Sequence, residues 1–338
     1  MQQPTSRQIL ILKAIVREHI RTGEPVGSKS LCDITRMDLS SATMRSEMGE
    51  LGQMGYLEQP HTSSGRIPSV LAFRLYIDQT SYQTSLKNSD KSKIDRMIPV
   101  SDDPQAILEA ACGVLAAITR HTAVITTPCN REAVIRQAQV IPFGGRSGLI
   151  LLMTSTGQVQ SRMFRIDCSI TPALLEIFSN VINQHFLGRE LSQCGMADVQ
   201  TIAAAIPEYS LMIMPMLTAL ASVATEVRNT RLNIDGEDNL LTDFDKDSAR
   251  ELIELFRGGQ ALVPILRSTD GSIRVIMGGE TSQRALRPSS IVAASYNAGG
   301  TKGQIGIVGP VRMDYDHIIP RIDYFAQRLG QRIAELLD

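Results

Sequence analysis

Two short stretches carry side chains that could meet a polyanion. Pro60 to Ser69, PHTSSGRIPS, holds two prolines, one glycine, four hydroxyl residues, a histidine and an arginine, with no acidic residue and one aliphatic side chain. Such a segment cannot fill a core. From Gln59 to Ile77 the only full charges are Arg66 and Arg74, both positive, so phosphate can approach without like-charge repulsion. Upstream, Ser41, Thr43, Arg45 and Ser46 fall off the apolar stripe Met44, Met48 and Leu51. In a helix-turn-helix protein the second helix of the motif presents such N-terminal residues to base edges, while amides and hydroxyls hold phosphates. Taken alone, the first stretch reads as a loop, and a plain solvated helix face is the better explanation of the second.

Other candidate chemistry is weaker. The cysteines, Cys32, Cys112, Cys129, Cys168 and Cys194, lie far apart and form no CxxC pair, and His19, His61, His121, His185 and His317 are equally scattered. No metal and no cofactor is expected, and the thiols read as small buried apolar groups in a reducing compartment. FGGRSG, with Gly144, Gly145 and Arg146, has the residue types of a phosphate cradle but lacks the GxxxxGK[ST] spacing and a following helix, so it reads as a hairpin turn. Arg312 and Asp314 of GPVRMDY have no nucleophile, base or metal ligand beside them and read as a structural ion pair or turn.

The elements that position the polar stretches can be read from periodicity. Thr5 or Ser6 caps a helix with Ile9, Leu12, Ile15, Val16 and Ile20 at helical spacing, and Gly23 stops it. A turn at Pro25 and Gly27 leads to a short helix capped by Ser28 that buries Leu31 and Ile34. Ser40 or Ser41 then caps a third helix, and GYLEQ followed by the PHTSSGRIPS turn makes a small hairpin. Three helices and a hairpin in this order spell a winged helix-turn-helix, with the hairpin as its wing. Pro60 and Pro68 stiffen the wing, and Gly65 is expected to permit its tight turn.

The chain of 338 residues is long enough for more than one core, and 43% hydrophobic with 20% charged residues is ordinary for a globular protein. A net charge of -1 argues against coating nucleic acid non-specifically but permits a local basic surface; residues 1–85 hold nine Lys or Arg against eight Asp or Glu. No apolar run is expected to cross a bilayer and MQQPTSRQ is not a signal peptide, so the expectation is a cytoplasmic protein without a membrane.

EPVGSKSL and LSSATMRSEMGELGQMGYLEQPHTSSGRIPS closely resemble the N-terminal domain of the HrcA family of bacterial heat-inducible transcription repressors. Three departures are Gly49 and Gly52 inside the third helix, Ala72, Phe73 and Arg74 where a GYR-type tripeptide is common, and Met44 where isoleucine is usual. DGEDNLL, SSIVAASY and GQIGIVGPVRMDY resemble the family's C-terminal signatures. The resemblance implies an α+β protein: an N-terminal winged helix-turn-helix, then a GAF-like antiparallel sheet domain with an inserted helical dimerisation domain. It further implies a homodimer that binds a CIRCE-like inverted repeat in double-stranded DNA upstream of chaperone operons, released on heat stress and dependent on the chaperonin GroEL. Ser41, Thr43 and Arg45 are then expected at base edges or adjacent phosphates, and Lys29, Ser46, His61, Thr62, Ser64 and Arg66 on the backbone.

The expected division is 1–85 winged helix, 86–103 linker, 104–187 GAF-like domain, first part, 188–242 inserted dimerising domain and 243–338 GAF-like domain, second part. Pro104 opens a helix burying Ile107, Leu108, Ala111, Leu115 and Ile118; the runs VIRQAQVI, SGLILLMT and QVQSRMFRI, then SIRVIMGG, SSIVAASY and KGQIGIVGP, read as strands. YSLMIMPMLTALASVATEV is too apolar for one stripe and reads as a buried core helix, with a face against a second subunit as competitor. The chain closes on a helix carrying Ile318, Ile322, Phe325, Leu329, Ile333 and Leu336, with Pro320 expected in its first turn. The rival to a repressor is a metabolite-sensing GAF-type regulator or an enzyme with an accessory winged helix. The missing catalytic constellation and the 4% aromatic content without tryptophan stand against it.

Overall fold

The computed structural model describes residues 3–35, 37–60, 65–79, 86–128, 133–155, 157–228, 230–259, 261–266 and 273–337. Thr5 closes a capping box with Gln8 at the start of α1 (Ser6–Thr22), which buries Ile11, Leu12, Ile15 and Val16. Ile9 and Ile20, expected on that stripe, are only half-buried, and Gln8 and Ile11 take the inner positions. Gly23 ends the helix at φ 74°, a left-handed conformation that glycine adopts without strain, and its N–H donates to the His19 carbonyl. In α2 (Ser28–Thr35) Leu31 is buried but Ile34 is 45% exposed, because so short a helix reaches the core through one side chain only. In α3 (Ser41–Gln53) Met44, Met48 and Leu51 are buried as the spacing predicts.

The chain then forms β1 (Leu57–Glu58) and β2 (Ile67–Pro68), paired antiparallel with Leu57 opposite Pro68. Val26, in the turn between α1 and α2, and Arg66 exchange both backbone hydrogen bonds at 2.9 Å, which adds a third arm to this hairpin. α4 (Val70–Gln79) buries Ala72, Phe73, Tyr76 and Ile77. Within the stretch expected to be a linker, Asn88–Met97 is helical (α5): Asp90 and Arg96 complement the helix dipole, and a single side chain, Ile94, is buried. One buried apolar residue gives no stripe to read.

Asp103 caps α6 (Pro104–Thr119), which leads into β3 (Thr122–Thr126). Next come β4 (Ile135–Pro142), β5 (Ser147–Thr154), β6 (Val159–Arg165), α7 (Pro172–His185), α8 (Met196–Ala205) and α9 (Ser210–Arg228). They are followed by β7 (Leu232–Asp235), α10 (Asp238–Asp243), α11 (Lys246–Gly258), α12 (Leu262–Leu266), β8 (Arg274–Met277), β9 (Ser289–Ala298), β10 (Thr301–Pro310) and α13 (Tyr315–Leu337). The fold is α+β with antiparallel sheets. Strands order as β7-β3-β10-β9-β8 in a five-stranded sheet, with β3–β10 and β8–β9 antiparallel, while β4-β5-β6 form a separate antiparallel sheet.

Two compact units result. One comprises Met1–Ile125, Leu232–Tyr296 and Gln304–Leu329, the other Thr126–Arg231, Asn297–Gly303 and Gly330–Asp338. The interruption expected at 188–242 thus differs from the observed division, since β4 to β6 precede residue 188 yet share a core with α7 and α9. Strand alternation has the same period whichever sheet a strand joins, so it could not locate this boundary.

In the first unit, β3, β9 and β10 pack Val124, Ile291, Ala293 and Val308 against Leu252, Phe256, Leu262 and Leu266. In the second, Ile135, Ile150, Leu152 and Phe164 meet Phe178 and Ile182 of α7 and Met216, Leu217, Leu220 and Val223 of α9. Contrary to the sequence expectation, α9 is long and apolar enough to cross a membrane by length and composition, but its buried side chains fill this core. Residues 143–146 join β4 to β5 as a hairpin. Asp314 accepts from the backbone N–H of His317 and holds its imidazole at 2.6 Å, forming the turn into α13 and pairing with no arginine among the described residues. That helix begins at Tyr315, so Pro320 lies inside it rather than in the first turn.

Candidate nucleic-acid interface

α3 is held from both sides. Its buried stripe faces α1 and α2, and Ser40 accepts from the Thr43 N–H at 3.1 Å to start the helix; the Thr43 hydroxyl lies 2.9 Å from that of Ser40. Below the leading turn, Glu47 is buried and ion-paired with Arg7, while Gln8 donates to Glu50 at 2.8 Å. Two acidic side chains of α3 are therefore bolted to the first turn of α1, which fixes the crossing of the two helices. The sequence reading missed Arg7, Gln8, Glu47 and Glu50. The signal was present for Glu47: it stands three residues after Met44 and one before Met48, on the buried face, where an acid requires a partner.

With that face occupied, Ser41, Thr43, Arg45 and Ser46 are all exposed on the other side of α3, and Lys29 is exposed in the first turn of α2. Thr43 is tied to Ser40, so its hydroxyl is held rather than free to rotate. His61, Thr62 and Ser64 lie outside the described residues.

Arg66 has a more structural setting than its sequence context suggested. Its backbone pairs with Val26, and its half-buried side chain runs back to α3: a β-carbon built on Gly52 would sit 3.4 Å from Arg66 Nη1. A cation at a helix C-terminus complements the dipole. Gly65 also differs from expectation. It is absent from the positive-φ glycines, so no tight turn demands it; instead a β-carbon there would lie 2.5 Å from the Val26 oxygen and 2.9 Å from the Pro25 carbonyl carbon. Close backbone approach, not turn geometry, requires glycine at this position.

Burial and charge decide which thiols could react. Burial pushes the Cys112 thiol up to about 12, and burial together with Asp198 raises Cys194 to about 11, so both are inert at neutral pH. No group of three or more His, Cys, Asp or Glu that could hold a metal occurs among the described residues.

The model of the HrcA protein C-terminal domain matches residues 105–319. A heat-inducible transcription repressor HrcA of Ruminiclostridium cellulolyticum is 32% identical over 98% of both chains. The repressor of the same name from Halalkalibacterium halodurans is 30% identical over 98% of both. The chain belongs to the HrcA family. A crystal structure described as that of a hypothetical protein matches 99% of this chain and all of its own, with TM-score 0.65 and 25% identity. Membership makes the chain a transcription repressor that negatively regulates heat-shock genes. The C-terminal domain model starts after α5, so it leaves out α1 to α5, but the full-length HrcA relatives extend over that region too. A repressor acts on DNA.

Proposed function

We propose that residues 1–85 form a winged helix-turn-helix, that α3 reads base edges in a major groove, and that the hairpin is the wing lying on the phosphate backbone. The observation that carries this reading is the clean partition of α3: Met44, Glu47, Met48 and Leu51 are buried, and Ser41, Thr43, Arg45 and Ser46 are exposed in its leading half. Ser41, Thr43 and Arg45 take base-edge or neighbouring phosphate contacts. Lys29, Ser46, His61, Thr62, Ser64 and Arg66 take the backbone. The remainder of the first unit is the GAF-like domain.

The repressor acts in the cytoplasm as a homodimer on a CIRCE-like inverted repeat upstream of chaperone operons, two-fold protein symmetry matching two-fold operator symmetry. The second unit supplies the dimerisation surface. Support comes from the outer face of β4-β5-β6, where Ile141, Leu149 and Met163 stand in register, as do Met153 and Val159; Met163 is 70% and Val159 54% exposed. The Met-rich α9 is a weaker candidate, because its exposed apolar side chains are confined to Leu211 and Met212 in its first turn. Heat releases the repressor by loosening it, and GroEL restores the active form.

A gel-shift titration against a CIRCE-like repeat and a scrambled copy tests the reading. Arg45→Ala should lower the operator-to-scrambled preference about tenfold or more, whereas Arg66→Ala should weaken both duplexes alike and flatten the salt dependence. An unchanged preference in Arg45→Ala removes that residue from base reading. Equal binding of wild type to both duplexes overturns the operator assignment.

A further inference from the structure

The DNA-reading helices are attached to the GAF-like core by specific ionic contacts rather than by a bare tether. From α4, Arg74 reaches β8 and the turn beyond it: Nη1 donates to the Val275 carbonyl at 3.0 Å, Nε donates to Glu280 Oε1 at 3.0 Å, and Nη2 bonds the other Glu280 oxygen. A planar guanidinium gripping both oxygens of one carboxylate fixes direction as well as distance. A second attachment meets the first turn of α13. Tyr76 donates to Asp316 Oδ2 at 2.6 Å, and Arg17 of α1 lies on both, 3.2 Å from the Tyr76 hydroxyl and 3.4 Å from that carboxylate oxygen. Asp316 Oδ1 is buried without a hydrogen-bond partner among the described residues, so Oδ2 carries the whole contact.

Three further contacts flank these two. The Phe73 ring meets Tyr315 edge-on with centroids 6.5 Å apart, and Arg312 lies against Gly23 at the C-terminus of α1. On α5, Asp95 accepts from Tyr324 and from Arg328 of α13, the latter at 2.7 Å. Attachment points on the reader thus lie on two of its helices, α1 and α4, with a further contact from α5. None of these residues belongs to the proposed DNA surface.

We propose that the Arg74–Glu280 and Arg17–Tyr76–Asp316 contacts set the angle of α3 on the core and thereby determine which half-site spacing the repressor accepts. This rests on the inverted-repeat reading above. A reader on a loose tether follows a half-site that rotates away from it; a reader held at fixed angle does not. Each added base pair turns the second half-site by about 34° and carries it about 3.4 Å along the axis, a displacement larger than these contacts can absorb without breaking.

The test uses the full-length protein with Glu280→Gln and Asp316→Asn together, which leave every residue of the reading helices unchanged. Glutamine keeps an acceptor for the Met277 N–H that Glu280 now caps, and asparagine keeps one for Tyr76. Binding is titrated on CIRCE-like repeats with spacers up to about three base pairs longer or shorter than the best, each affinity divided by that protein's own best value so that any loss of folded protein cancels. Wild type should lose about tenfold or more per base pair, and the double variant about threefold or less, with the best spacer bound as before. The single Glu280→Gln variant, at a side chain 46% exposed, covers the case in which the double variant does not fold, and should give an intermediate profile. A variant profile superimposable on wild type overturns the inference. A wild type indifferent to the repeat itself sinks the operator reading first and this inference with it.

Discussion

Gly65→Ala puts the geometry of the hairpin to a sharp test. The new β-carbon would stand 2.5 Å from the Val26 oxygen, 2.6 Å from its carbonyl carbon and 2.9 Å from that of Pro25. All three are backbone atoms, so no rotamer change relieves the overlap, and the hairpin arm must retreat from the α1–α2 turn. Retreat breaks the two Val26–Arg66 hydrogen bonds, each worth about 1 kcal/mol net, and the residual overpacking adds about 1–2 kcal/mol. Because Gly65 is not in the left-handed region, alanine recovers about 0.5–1 kcal/mol of chain entropy. The balance is a loss of about 2–3 kcal/mol, or roughly 4–12 °C in the transition of a unit this size. Calorimetry on the full chain reads the shift. Gel-shift titration should show operator and scrambled DNA weakened together, in keeping with the backbone contacts proposed for the wing. Gly27→Ala, next to Val26 on the opposing arm, has nothing within 4 Å of its β-carbon and serves as the matched control. A Gly65→Ala protein that melts within about 1 °C of wild type and binds DNA equally well would refute the close-approach argument.

Other outcomes follow from single observations. Gly49→Ala, at an α3 position with open space around the β-carbon, should stabilise that helix by about 0.5–1 kcal/mol and raise the temperature at which operator is released; a release temperature that stays put or falls contradicts it. Burial, then the hydrogen bond to Asp316, pushes the Tyr76 phenol up to about 12, above its unfolded value of about 10. Its contribution to stability is therefore complete below about pH 10 and lost as pH rises from there to about 12, so Tyr76→Phe should flatten the alkaline limb of urea-melting stability against pH, and an equally steep limb would count against this account. Native alkylation followed by mass spectrometry should modify the half-exposed Cys32 and Cys168 before the buried Cys112 and Cys194; early loss of the Cys112 thiol contradicts its burial.

The sequence made α3 legible because its polar and apolar residues alternate at helical spacing and a serine marks its start. The hairpin was legible by composition, with a boundary set by prolines. What stayed hidden was relational. Glu280 and Asp316 lie more than two hundred residues from the arginines they hold, and an exposed-looking arginine such as Arg74 has no local mark of a carboxylate that distant. The same holds for α5, whose helix depends on Asp95 meeting Tyr324 and Arg328 rather than on an apolar stripe. The boundary of the second unit was hidden for a different reason: β4 to β6 look like any strands, and only their side-chain partners on α7 and α9 reveal which core they serve.

The glycines near the DNA surface separate into forced and unforced positions, and the difference bears on how a heat-responsive repressor could work. Gly65 is imposed by the backbone that crosses it, and Gly52 lies beneath the Arg66 guanidinium, whereas Gly49 has nothing within 4 Å. A mid-helix glycine costs about 1 kcal/mol relative to alanine, and at Gly49 no packing gain offsets it. That penalty falls on the element whose exposed side is proposed to read DNA, next to a buried Glu47 whose partner Arg7 is itself 59% exposed and so readily hydrated once the helices part. Loss of that pairing would leave a charge in an apolar setting, which favours opening of α3 as a whole over gradual fraying. The core, by contrast, is held by apolar packing and by the five-stranded sheet. Local opening of α3 at elevated temperature would then release DNA while the rest of the unit remains folded, and the step proposed for GroEL would be to return that helix to its closed position on α1.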